Sequence, residues 1–79
     1  MKQAILKEDG YRQWIAEYNG QTFSIWHSYL WDENGKWHYY YTVDRLSDGE
    51  GYFRDLAGNR PMTVELATRL CKKCIAKIK

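Results

Sequence analysis

The segment from Thr22 to Asp44 constrains the fold more than any other part of the chain. Two arms rich in β-branched and aromatic residues flank a short polar stretch that contains Asn34-Gly35. An Asn-Gly pair between such arms is a strong local signal for a β-hairpin. We therefore predict two long antiparallel strands joined by a three-residue loop that begins at Glu33.

The loop determines which residues face each other across the hairpin. A three-residue loop places Asp32 opposite Lys36, which is an attractive pair of charges. One side of the hairpin then collects Ile25, His27, Tyr29, Trp31, Trp37, Tyr39, Tyr41 and Val43. The other side collects Trp26, Ser28, Leu30, His38, Tyr40 and Thr42. A shift of one residue would divide the apolar set between the two faces.

A second Asn-Gly pair supports the same assignment of faces. Asn19-Gly20 predicts a two-residue turn after a strand that runs from Tyr11 to Tyr18. The register of this turn assigns four residues to the apolar side: Trp14, Ala16, Phe23 and Ile25. Two independent turns thus agree on one apolar face, and we predict a β-meander over residues 1–44.

The last segment, residues 61–79, has the pattern of an amphipathic helix. Thr63 is a favourable N-cap, and Glu65 adds negative charge to the first turn. Apolar residues then recur on one side with the helical period: Leu66, Ala67, Leu70, Cys71, Cys74, Ile75 and Ile78. This stripe must be buried, and the aromatic side of the sheet is the large apolar surface available to it.

These elements predict an α+β fold, in which an antiparallel three- to four-stranded β-meander packs one face against a single C-terminal amphipathic helix. At 79 residues the chain is predicted to be a single domain. Residues 45–60 form a connection rich in Gly and Asp, with a candidate short strand or helical turn at Tyr52-Phe53-Arg54.

The sequence contains no recognisable motif for catalysis, a cofactor or a metal, so no such residues are predicted. Cys71 and Cys74 lie well inside the predicted helix, whereas a reactive thiol is expected at a helix N-terminus. A zinc site would need further ligands, and His27 and His38 fall on opposite faces of the sheet. Reduced thiols, the absence of a signal-peptide pattern and the lack of a long apolar run favour a cytoplasmic protein.

If the helix covers the aromatic side, the opposite side of the sheet stays open. Ser, Thr and Gln are ordinary on such a face, whereas a contiguous aromatic patch is typical of a binding surface. The candidate binding residues are Tyr11, Gln13, Ile15, Trp26, Ser28, Leu30, His38 and Tyr40. Two simpler interpretations stay open: residues 45–60 fold over this face, or the aromatic residues only reflect strand propensity.

The open face favours a non-enzymatic module that binds a protein partner or a second copy of itself. An aromatic centre with few charges is typical of protein interfaces. Small aromatic domains without motifs are common in phages and other mobile elements, where some block a host target. Neither a membrane nor a small-molecule substrate is indicated.

The alternative is a nucleic-acid-binding module. A small sheet backed by one helix is similar in layout to DNA-binding domains such as those at the N-terminus of some phage integrases, and sheet aromatics can stack on bases. The possible phosphate contacts are Arg69, Lys72, Lys73 and Lys77. These residues lie on the far side of the helix, whereas phosphate binding requires basic residues around the reading face. The protein-binding hypothesis is therefore favoured.

Overall fold

The computed structural model describes residues 3–79 as a five-stranded antiparallel sheet and one α-helix. The strands are β1 (Ile5–Glu8), β2 (Gln13–Tyr18), β3 (Gln21–Trp31), β4 (Trp37–Arg45) and β5 (Phe53–Asp55), and they neighbour one another in chain order. A 3-10 turn (Ala57–Asn59) and helix α1 (Val64–Ile78) follow. The α+β fold class is confirmed, with five strands in place of three or four. Met1 and Lys2, at the start of the predicted meander, lie outside the described residues.

The predicted register of both hairpins is confirmed. Trp14 faces Ile25 across β2 and β3, and Trp31 faces Trp37 at the end of β3 and β4. Gly35 has a φ of 78°, in the left-handed region that the bulge of a three-residue hairpin loop requires. The two faces of the meander therefore carry the residues that the turns assign to them.

Strand β2 begins later than the sequence predicts. Tyr11 and Arg12 lie in the turn between β1 and β2, and Arg12 has a positive φ of 58°. This conformation is incompatible with a regular strand, so the strand starts at Gln13. Tyr11 is therefore not on the sheet face to which the sequence assigned it; its side chain is 84% exposed at the turn.

The connection between β4 and the helix extends the sheet instead of folding over its open side. Phe53 faces Val43, and Asp55 faces Tyr41. Directly paired residues point to the same face, so both β5 side chains lie on the side that α1 covers. The fifth strand thus lies in residues 45–60, the segment whose structure is hardest to predict from the sequence.

Helix α1 begins at the predicted cap. The Thr63 hydroxyl oxygen accepts the Leu66 N–H at 3.1 Å. The Thr68 hydroxyl donates to the Val64 carbonyl at 2.7 Å and accepts the Ala4 N–H at 2.8 Å. This second contact attaches the start of the chain to the helix. The buried residues of α1 are Leu66, Ala67, Thr68, Leu70, Cys71 and Cys74.

The helix covers only part of the apolar side of the sheet. Its 15 residues span about 22 Å, whereas the 11 residues of β3 span about 36 Å. The sheet residues buried in the core are Ala16, Phe23, Ile25, Tyr41, Val43 and Phe53. The helix therefore packs on the predicted face but leaves its far end uncovered, where Tyr29, Trp31, Trp37 and Tyr39 are 37–59% exposed.

We name the far end of the β3–β4 hairpin, residues 28–40, the aromatic arm. Its inner side continues the face that α1 covers and carries Tyr29, Trp31, Trp37 and Tyr39. Its outer side belongs to the opposite face and carries Ser28, Leu30, His38 and Tyr40. The arm gives the molecule its elongated shape, with extents of 42 × 23 × 23 Å.

Leu70→Ala is expected to lower the free energy of unfolding by about 2–5 kcal/mol, because it leaves a cavity at a fully buried position. The matched control is Lys72→Ala on the exposed side of the same helix, with an expected change below about 0.5 kcal/mol. Lys73 is unsuitable as a control, since its ammonium pairs with Asp55. Urea denaturation measures both changes, and equal stability of the two variants would contradict the assigned helix face.

Candidate functional site

The inner side of the aromatic arm carries four aromatic rings in mutual contact. Trp31 and Trp37 stack with ring centroids 3.9 Å apart, and Tyr29 meets Trp37 edge-on at 4.8 Å. Tyr39 lies 6.1 Å from Tyr29. Aromatic pairs contribute about 0.5–1.5 kcal/mol beyond area burial. The rings are therefore ordered by one another although solvent reaches them.

His27 lies at the boundary between the core and the arm. Its Nε2 is 2.8 Å from the carbonyl oxygen of Gly58, and a carbonyl can only accept, so this nitrogen carries a hydrogen and donates it. Its ring also contacts the rings of Tyr39 and Tyr41. A Cβ at Gly58 would overlap the backbone of Tyr39, so only glycine lets the 3-10 turn approach β4 this closely.

Asp32 orders the loop at the tip of the arm. Its Oδ1 accepts the backbone N–H groups of Asn34 and Lys36 at 2.9 and 2.8 Å. Its Oδ2 lies 2.6 Å from Nε2 of His38, and this hydrogen bond holds the pKa of Asp32 below its usual range. The two strands thus stay in register as far as the tip.

The predicted binding residues occupy three different environments. Four are exposed: Tyr11, Trp26, Leu30 and His38. Three are half-buried: Gln13, Ile15 and Ser28. Tyr40, in contrast, is only 9% exposed, and the guanidinium of Arg54 lies 5.0 Å from its ring centroid. The outer side is thus less open around Tyr40 than the sequence indicates.

Arg12 lies beside the inner side of the arm. Its guanidinium carbon is 5.3 Å from the Tyr29 ring centroid, and its Nη1 is buried without a hydrogen-bond partner among residues 3–79. Arg12, Tyr29, Trp37 and Tyr39 together line a pocket of about 200 Å³. Sequence reasoning missed this arginine, because its position depends on the left-handed backbone of a turn. The alternation of side chains along a strand does not predict where a turn residue points.

The four basic residues of α1 lie on the opposite side of the sheet from the open face. The Lys73 ammonium pairs with the Asp55 carboxylate at 2.8 Å, and Lys77 lies over the ring of a β5 residue. Arg69 and Lys72 are exposed on the helix. Burial raises the pKa of Asp55, but hydrogen bonds from Lys73 and a backbone N–H outweigh burial and lower it overall. These residues do not surround the predicted binding face.

Both cysteines are free and buried in α1. Burial raises the pKa of Cys71 to about 12 and also raises the pKa of Cys74. The thiolate is the form that attacks electrophiles and binds metals, so these thiols are poorly suited to either role. Within residues 3–79, no three His, Cys, Asp or Glu side chains lie close enough together to hold a metal ion.

Comparison of the chain with protein families, with characterised proteins and with solved structures finds no match. In the described part of the chain, no helix has the length and apolar character needed to cross a membrane.

Cys71 and Cys74 are expected to resist iodoacetamide at pH 8 in the native protein and to react within minutes in guanidinium chloride. Burial both shields the thiols and suppresses the thiolate, and unfolding removes both effects. Mass spectrometry of quenched samples measures the extent of reaction. Rapid labelling of either cysteine in the native protein would show that α1 does not bury this side.

Proposed function

We propose that this protein is a non-enzymatic binding module that contacts another protein chain through the aromatic arm. The observation that carries the proposal is the exposure of four neighbouring aromatic side chains on the inner side of the arm: Tyr29, Trp31, Trp37 and Tyr39. Contiguous exposed patches of this kind mark interaction sites on soluble proteins. Trp and Tyr are also the residues that most often dominate binding energy at interfaces.

The arm supports this function because it is ordered before a partner arrives. Trp31 and Trp37 are already stacked, and Asp32 fixes the loop between their strands. Binding to an ordered surface loses less side-chain entropy than binding to a mobile one. The entropic cost of association is therefore low.

The arm also provides a free strand edge. β2 pairs with β3 only as far as Trp26. In the described part of the chain, residues 28–31 of β3 therefore have β4 on one side and no strand on the other. The His27 N–H, which donates to the Arg12 carbonyl, marks the end of pairing on the β2 side. Alternation in an antiparallel ladder then directs the backbone groups of Tyr29 and Trp31 to the free edge. Such an edge accepts a strand from a partner.

A second copy of the chain and a different protein both satisfy this chemistry, and sedimentation separates the two cases. The outer residues Trp26, Leu30 and His38 extend the proposed contact around the arm, together with the half-buried Gln13, Ile15 and Ser28. A factor of a phage or mobile element that blocks a host target is one biological form of such a module. The proposal includes a cytoplasmic location, which the two free thiols support.

Nucleic-acid binding is the second candidate, and the exposed Trp31–Trp37 pair is the observation that favours it, because unpaired bases stack on such rings. The charges around the arm argue against it. Asp32 and Glu33 place two acids at its tip against one base, Lys36. On α1, Lys73 is already paired with Asp55, and Lys77 lies over a β5 ring. Backbone phosphates require the opposite distribution of charge.

Trp31→Ala combined with Trp37→Ala is expected to weaken association at least about thirtyfold, which corresponds to about 2 kcal/mol, because two central aromatic contacts are lost. Lys72→Ala, on the exposed side of α1, is the matched control and should leave association unchanged. Sedimentation velocity over a concentration series measures self-association. For a different partner, a photo-crosslinking amino acid at Tyr39 is compared with the same group at Lys72.

The proposal would be contradicted if the protein is monomeric and the crosslinker at Tyr39 captures no more of any other protein than the crosslinker at Lys72 does. Fluorescence anisotropy with a generic single strand tests the second candidate. Affinity that falls steeply with salt and is lost in the double tryptophan variant would establish nucleic-acid binding instead.

A further inference from the structure

A groove on the outer side of the sheet has the chemistry of a cation site. It has a volume of about 430 Å³ and lies between the base of the aromatic arm and β5. Two exposed aromatic side chains, Trp26 and Tyr52, line it together with Asp44 and the aliphatic Leu46. Aromatic faces around a carboxylate are the surroundings that proteins use to recognise organic cations.

The indole of Trp26 is held in position for this role. Its Nε1–H donates to the Ser24 hydroxyl oxygen at 2.8 Å. Ser24 faces Asp44 across β3 and β4, so this hydrogen bond draws the indole toward the carboxylate and away from the arm. The serine therefore orders one side of the groove before a ligand enters.

Asp44 has no ion-pair partner among the described residues. It is half-buried, and none of the ion pairs among residues 3–79 includes it. Burial raises the pKa of Asp44, because desolvation disfavours the carboxylate and no neighbouring cation among the described residues offsets this effect. A cation from outside the chain would supply the missing compensation.

The same face already holds one guanidinium against an aromatic ring. Arg54 lies opposite Thr42, and its guanidinium carbon is 5.0 Å from the centroid of Tyr40. The nearby Tyr52 raises the pKa of Arg54, so this arginine lies beside a residue that lines the groove. It forms no ion pair with Asp44, which stays available to a cation from another molecule.

We propose that this groove binds an arginine side chain of the partner protein, with its guanidinium paired to Asp44 and stacked on Trp26. A planar guanidinium matches a carboxylate edge and an aromatic face at once, whereas a lysine ammonium offers only a point charge. The inference rests on the proposed function for the claim that the cation belongs to a protein. The groove itself is tested with small molecules.

The experiment is a titration of the ¹⁵N-labelled protein with Nα-acetyl-arginine amide, followed by the four tryptophan indole N–H signals. The Trp26 signal should shift saturably, while those of Trp14, Trp31 and Trp37 stay in place. Asp44→Asn should weaken this binding about threefold to tenfold, in the range of a single cation contact. The neutral isostere Nα-acetyl-citrulline amide should cause no saturable shift, and the lysine amide should bind less tightly than the arginine amide.

The matched control is Glu17→Gln, which removes an exposed acid from the same face but outside the groove. It should leave the affinity for the arginine amide within about twofold of that of the unchanged protein, since solvent and salt screen an exposed charge outside the groove. Unchanged affinity in Asp44→Asn, citrulline binding as tight as arginine binding, or lysine binding as tight as arginine binding would each overturn the inference.

The double variant Trp31→Ala with Trp37→Ala separates the groove from the arm. It should keep its affinity for the arginine amide while it loses association with the partner. Arm-dependent association without arginine binding would overturn this inference alone. Arginine binding without any arm-dependent association would overturn the proposed function alone.

Discussion

The structure depends on a difference in length between the β3–β4 hairpin and the helix that packs on it. Helix α1, at about 22 Å, can bury only one end of an apolar face that is about 36 Å long. The chain therefore has one continuous aromatic face that is buried at one end and exposed at the other. Its near end, around Phe23 and Ile25, is the core, and its far end, around Trp31 and Trp37, is exposed.

Two hydrogen bonds set the boundary between these ends. The His27 Nε2–H donates to the Gly58 carbonyl, and the Tyr41 hydroxyl donates to the Arg60 carbonyl at 2.7 Å. Both attach the segment before α1 to the sheet, so the core closes at the row that His27 and Tyr41 share. Beyond this row the rings stabilise one another and solvent reaches their edges. The exposed arm is thus a consequence of where the chain returns to the sheet.

The sequence predicts the faces of the sheet well, because turn chemistry and alternation are local. Asn34-Gly35 alone specifies that Trp31 faces Trp37 and that Trp26 lies on the other side. The alternation of side chains along a strand predicts which face of the sheet a residue occupies, but it does not predict which part of the chain covers that face. Coverage depends on the length of α1 and on contacts distant in sequence, such as that between His27 and Gly58.

The same limit explains what sequence reasoning missed at the candidate site. Tyr29 and Trp37 are assigned to the core side, and only the finite reach of the helix turns them into surface. Tyr52 joins the groove because β5 forms at the candidate strand, but residues 45–60 carry no periodic pattern that indicates which face its side chains occupy. Arg12 reaches the arm through a positive φ, which occurs in a few per cent of residues other than glycine.

The most direct test of the partial coverage by α1 is photochemically induced nuclear polarisation with a flavin dye, which marks tryptophan and tyrosine rings that the dye can reach. The measurement is made at a concentration where sedimentation shows a monomer. We expect strong polarisation of Trp31 and Trp37 and none of Tyr41, which is only 1% exposed. Silent Trp31 and Trp37 signals, with the fold intact, would show that the far end of the hairpin is covered and that the exposed arm does not exist.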